Sequence, residues 1–141
     1  MALQEQDKLV ELHHQKTNNN FTVGDILIGK IRKMMPGLNA AFIDIGNRKD
    51  AFLHYTDLGP KLRSLTKWTN GVINGNINTH KLDNFKYEDE IVKTGKIDQV
   101  LNKRFPVLVQ ILKEPISTKG PRLSCEFNLP GRYMVLSPFS E

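Results

Sequence analysis

Between Asp25 and Phe127 the chain holds five short runs rich in β-branched and other apolar residues, each followed closely by glycine, proline or asparagine. Punctuation this dense leaves room for short strands and little else. The runs are Asp25 to Met34, stopped by Pro36-Gly37; Ala40 to Ile45, closed by Gly46-Asn47; Asp50 to His54; Val107 to Lys113; and Arg122 to Phe127. Pro115 and Lys119-Gly120-Pro121 mark the turn between the last two. An earlier run, Lys8 to His14, predicts a further strand, ended by the polar cluster Thr17 to Asn20. One long connection, from Thr56 to about Phe105, is rich in Gly, Asn and Lys, and Asn70 to Asn78 is almost low-complexity. A connection of that length is either functional or partly disordered. Only Ile97 to Leu101 within it predicts a helical turn or two. There are no heptads, no long repeat and no long amphipathic helix pattern. The reading is all-β: a five-stranded Greek-key barrel of the OB type, with a long insertion between its third and fourth strands and a short helix.

At 141 residues the chain is most simply one domain, able to bury a core without disulfide or metal staples. A single cysteine, Cys125, excludes a disulfide framework and a Cys-cluster zinc site. Without an apolar run near membrane-spanning length or a secretory leader pattern, the expected location is cytoplasmic. Twenty basic against fifteen acidic side chains give a net charge of +5, which points mildly to an anionic partner. Most of that excess lies in residues 59–105, with nine basic and five acidic side chains.

Strand parity locates a surface. On the second strand Ala41, Ile43 and Ile45 share one face, and Ala40, Phe42 and Asp44 the other. On the third, Ala51 and Leu53 oppose Asp50, Phe52 and His54. With the apolar stripes turned into the barrel, Phe42, Phe52 and His54 point outward beside Asp44 and Asp50. Bases of single-stranded nucleic acid stack on such rings while cations follow the backbone. Lys30, on the outer parity of the first strand, and Lys113, Lys119 and Arg122, around the last turn, supply those cations. The alternative is that these rings lie under the long loop or against another domain or subunit.

Other chemistry finds little support. His13 and His14 are adjacent in a strand and point to opposite faces, so they do not chelate one metal together. Asp44 and Asp50 sit on separate strands with no third ligand in view. Ser124 has no partnered histidine, Cys125 is expected in the core beside Leu123, and Lys119-Gly120 follows no phosphate-binding glycine loop.

The run from Phe21 to Leu58 resembles an S1 RNA-binding domain, with V-G-D at 23–25 and A-A-F-I-D-I-G at 40–46. More narrowly, the chain is similar to the S1 region of the ribonuclease E/G family. The blocks M-P-G-L-N-A-A-F-I-D-I-G at 35–46, A-F-L-H at 51–54, V-Q-I-L-K-E-P at 109–115, T-K-G-P-R-L-S at 118–124 and L-P-G-R-Y-M-V-L at 129–136 carry that resemblance. It implies an S1 domain over 21–127 with an insertion at about 59–96. Residues 1–20 would be a stub of an RNase H-like subdomain, and 128–141 a stub leading toward a sensor and catalytic region. It also implies that the barrel holds single-stranded RNA, with aromatic contacts on Phe42 and Phe52, His54 beside them, and lysine contacts at Lys113 and Lys119. The family cleaves RNA with Mg²⁺ held by paired aspartates in a separate nuclease domain. This chain is therefore expected to carry no catalytic residues and no cofactor of its own. Asn39 departs from the pattern, standing where generic S1 domains have an aromatic residue, and Ile45 stands where some relatives have Tyr. Arg104-Phe105-Pro106 replaces a glycine-containing turn.

Overall fold

The computed structural model describes residues 21–137 and Phe139 in full, and residues 2–5 and 8–12 as backbone strands. The elements run β1 (Ala2–Glu5), β2 (Lys8–Leu12), β3 (Ile26–Met35), β4 (Ala40–Asp44), β5 (Ala51–His54), α1 (Leu62–Ile73), α2 (Ile97–Val100), β6 (Val107–Lys113), β7 (Arg122–Ser124), β8 (Leu129–Pro130) and β9 (Val135–Leu136). The five strands expected from the turn chemistry close into a barrel in the order β3-β4-β5-β7-β6, with β6 returning to β3. All pairs are antiparallel except β5 with β7. The pairs β1-β2 and β8-β9 form separate two-stranded sheets.

The inward parity of β4 and β5 holds: Ala41, Ile43, Ala51 and Leu53 are fully buried, and Val109, Ile111 and Leu123 complete the barrel interior. Gly29 lets β3 pass close to β4, since a Cβ there would strike the Ile43 side chain. A second layer of core, built from Leu58, Leu62, Leu65, Ile91 and Ile97, joins the barrel to the long connection. On the outer parity, Phe42, Phe52 and His54 lie off the core as expected, though half-buried and not fully exposed. Ala40 corrects the reading: it shares that parity but is fully buried. It lies next to Asn39, the corner to which the Gly95–Ile97 segment is hydrogen-bonded.

The long connection is also corrected, because α1 is a twelve-residue amphipathic helix packed against β6. It buries Leu62, Ser64, Leu65 and Thr69, and each buried leucine contributes about 1.5–3 kcal/mol. Thr66, Thr69 and Asn70 are poor helix formers, and Lys61 makes no side-chain cap, so the helix rests on tertiary burial rather than propensity. Its end was readable: Asn74-Gly75 stops it, with Gly75 at φ 74°. Beyond it, residues 88–97 run as a strap across the barrel. Glu88 N–H donates to Ser64 Oγ at 2.8 Å, Ile91 N–H to Pro60 O at 3.0 Å, and the Tyr55 hydroxyl to Val92 O.

Candidate nucleic-acid interface

Register assembles the outer face. Lys33 stands opposite Phe42, Phe42 opposite Phe52, Phe52 opposite Arg122, and Arg122 opposite Lys113. Directly opposed residues point to the same side of a sheet. The five strands therefore carry one continuous row, Lys33–Phe42–Phe52–Arg122–Lys113, which follows the curved barrel wall for about 19 Å at normal strand spacing. Two aromatic rings sit at its centre and cations at both ends.

The rings are not flat against each other. Phe42 and Phe52 have centroids 5.9 Å apart with planes at 65°, whereas Phe52 and His54 are 6.3 Å apart at only 33°. Phe52 and His54 thus form a shallow platform, and Phe42 stands as its wall. The Thr56 N–H (3.2 Å) and the Thr56 hydroxyl (2.8 Å) both meet His54 Nδ1. With Nδ1 accepting, a neutral ring carries its proton on Nε2.

Phe42 and Phe52 open into a groove of about 900 Å³ that also takes in Lys49, Asp50, Lys113, Glu114, Lys119 and Arg122. Its far wall is the β6–β7 turn. That turn is fixed by Lys49 Nζ donating to Ser117 O and by the close approach of Gly120, where a Cβ would strike the Asp50 carbonyl.

Of the cations expected from the sequence, Lys113, Lys119 and Arg122 reach the groove. Lys30 is exposed and stands opposite Asp44, outside the groove lining. Arg122 is already engaged, donating through Nε (3.0 Å) and Nη2 (2.9 Å) to Asp57 Oδ2. Two cations were missed: Lys49, which lines the groove, and Lys33, which lies outside that lining but is brought opposite Phe42 by a bulge in β3.

Asp44 and Asp50 do not form a metal pair. Arg32 bridges them, with Nη2 2.7 Å from Asp44 Oδ2 and Nε 3.3 Å from Asp50 Oδ1. The Gly46 N–H, and then the Arg32 charge, hold the Asp44 carboxyl below its ordinary range. Among the described residues no three His, Cys, Asp or Glu side chains gather as metal ligands. A Mg²⁺ site therefore does not fit the carboxylates of this face. His13 and His14 lie outside the described residues. Ser124 Oγ is occupied by the Asp57 and Glu126 carbonyls. Cys125 is buried beside Leu123, and burial, helped by the Asp57 charge, pushes its thiol up to about 12. Cys125 is expected to resist iodoacetamide in the native protein and to react fully once urea unfolds it. Mass spectrometry of the two samples checks this, and native labelling at the unfolded rate would contradict it.

A closed five-stranded barrel with this strand order, bearing an aromatic and cationic outer face, is an OB-type barrel. No family model matches the chain. Curated relatives do: it is 34% identical to ribonuclease E of Nostoc sp. over 144 residues, covering 98% of this chain and 16% of that protein. It is 32% identical to ribonuclease G of Haemophilus influenzae over 138 residues, covering 98% of this chain and 24% of that protein. To ribonuclease E of Synechocystis sp. it is 37% identical over 119 residues, covering 83% of this chain and 14% of that protein. The chain is homologous over nearly its whole length to one segment of ribonuclease E/G family proteins, and it spans less than a quarter of the length of these relatives.

Proposed function

We propose that this barrel is the single-stranded RNA-binding module of an endoribonuclease of the E/G type, an S1 domain that holds substrate for a catalytic domain elsewhere. The observation that carries the reading is the cross-strand row Lys33–Phe42–Phe52–Arg122–Lys113. Aromatic faces take bases of any identity, and flanking cations neutralise the phosphates between them. In this reading the Phe52–His54 platform and the Phe42 ring each receive a base, and Lys33, Lys113 and Lys119 meet phosphates. In this reading the metal-dependent cleavage chemistry belongs to the catalytic domain, and the ion pairs that engage Asp44 and Asp50 with Arg32 support that division.

The other candidate use of the face, docking of a protein, is less well supported. The most exposed large apolar side chains among the described residues are not on it. They are Tyr133 and Met134, at 86% and 75% exposure, in the β8–β9 hairpin. The groove beside Phe42 and Phe52 is instead bordered by charge, with Ile116 as the one strongly exposed apolar side chain in its lining.

The test is titration of a short unstructured oligoribonucleotide at two salt concentrations. Neutralisation of a phosphate at each of Lys33, Lys113 and Lys119 predicts a slope of log K against log salt of about −2. Absence of binding, or binding indifferent to salt, would sink the reading.

A further inference from the structure

Two carboxylates sit where an RNA-binding face should not want them. Asp50 lines the groove beside Phe42 and Phe52, and Asp44 lies on β4 two residues from Phe42. Both share the outer parity of the rings, and the low-lying Asp44 carboxyl is ionised at neutral pH. An unmasked carboxylate here repels each phosphate brought to the row. The same two groups are the ones Arg32 bridges, one through Nη2 and the other through Nε. The rigid planar fork of arginine suits such a double engagement, which a lysine cannot reproduce. Geometry puts Arg32 there: alternation from Lys30 already turns it to the outer face, and the bulge between Ile31 and Lys33 leaves it without a partner on β4 and adds Lys33 to the same face.

Resting on the RNA reading above, we propose that Arg32 strengthens RNA binding through the carboxylates it masks rather than through contact with RNA. The bulge then divides labour between neighbours. Lys33 faces the phosphates, and Arg32 silences Asp44 and Asp50. Arg32 is a positioning residue in this scheme, and its effect depends wholly on the two aspartates.

The experiment is a mutant cycle read by fluorescence anisotropy of a labelled oligoribonucleotide at low salt. All three side chains are more than 30% exposed, so the variants should fold. Arg32→Gln is expected to weaken binding roughly tenfold by unmasking two charges. The Asp44→Asn/Asp50→Asn variant is expected to bind at least as tightly as the natural chain. Adding Arg32→Gln to that variant should change affinity by less than about twofold, since nothing is left to mask. An equal penalty in both backgrounds would mean that Arg32 touches phosphate directly and would overturn the masking role. So would no penalty in the natural background. If the natural chain binds no RNA, the functional reading itself fails. If it binds and the cycle is additive, only the masking role fails.

Discussion

Replacing Phe42 and Phe52 together by alanine is expected to weaken single-stranded RNA binding by roughly thirtyfold or more. Each base–aromatic stack contributes about 1–3 kcal/mol, so losing two removes at least about 2 kcal/mol. The residual binding should keep its salt dependence, because Lys33, Lys113 and Lys119 remain. That pairing of outcomes separates stacking from a general loss of charge. The two rings also stabilise the barrel, as their edge-to-face contact at 5.9 Å contributes about 0.5–1.5 kcal/mol. Affinity should therefore be measured well below the melting temperature of the double variant. Unchanged affinity in a folded double variant would remove the stacking role from this face.

The rings were legible in the sequence because their strands are regular. Ala40 to Asp44 and Ala51 to His54 pair without a slip, so simple alternation sends Phe42 and Phe52 outward together. The cations were harder. Counting outward parity from Lys30 turns Arg32 out and Lys33 in, but the bulge adds a residue and brings Lys33 opposite Phe42. A second bulge, at Leu112, likewise brings Lys113 opposite Arg122. Bulges leave no mark in a pattern of period two, so the complete row was not readable before the register was known. The Arg122–Asp57 pair spans 65 residues of sequence and was equally hidden. Helix α1 was missed for another reason. Its threonines and asparagine argue against a helix, and its apolar stripe is only meaningful once β6 is there to cover it.

Asn39 shows how a departure from a pattern can hold a fold together, and Asn39→Ala is expected to destabilise the protein by about 2–4 kcal/mol. The residue ends the β3–β4 turn at φ 49°, a left-handed conformation that asparagine tolerates and alanine does not. Its side chain joins the turn to the strap: Nδ2 donates to Gly95 O at 3.0 Å, and Oδ1 accepts from Ile97 N–H at 2.8 Å. Its carbonyl accepts from Tyr55 N–H at 2.9 Å, next to His54 on the aromatic face. Alanine would strain the backbone and leave the Ile97 N–H and Gly95 carbonyl without these partners. Glycine keeps the backbone conformation and loses only the side-chain bonds, so Asn39→Gly should fall between the natural chain and Asn39→Ala in urea unfolding. Equal stability of the alanine variant and the natural chain would show that the strap is held by burial of Ile91 and Ile97 alone. The aromatic residue that generic S1 domains have at this position could not make these two hydrogen bonds. The long connection and Asn39 are thus one structural solution, in which a strap from that connection is bonded to the corner that carries His54.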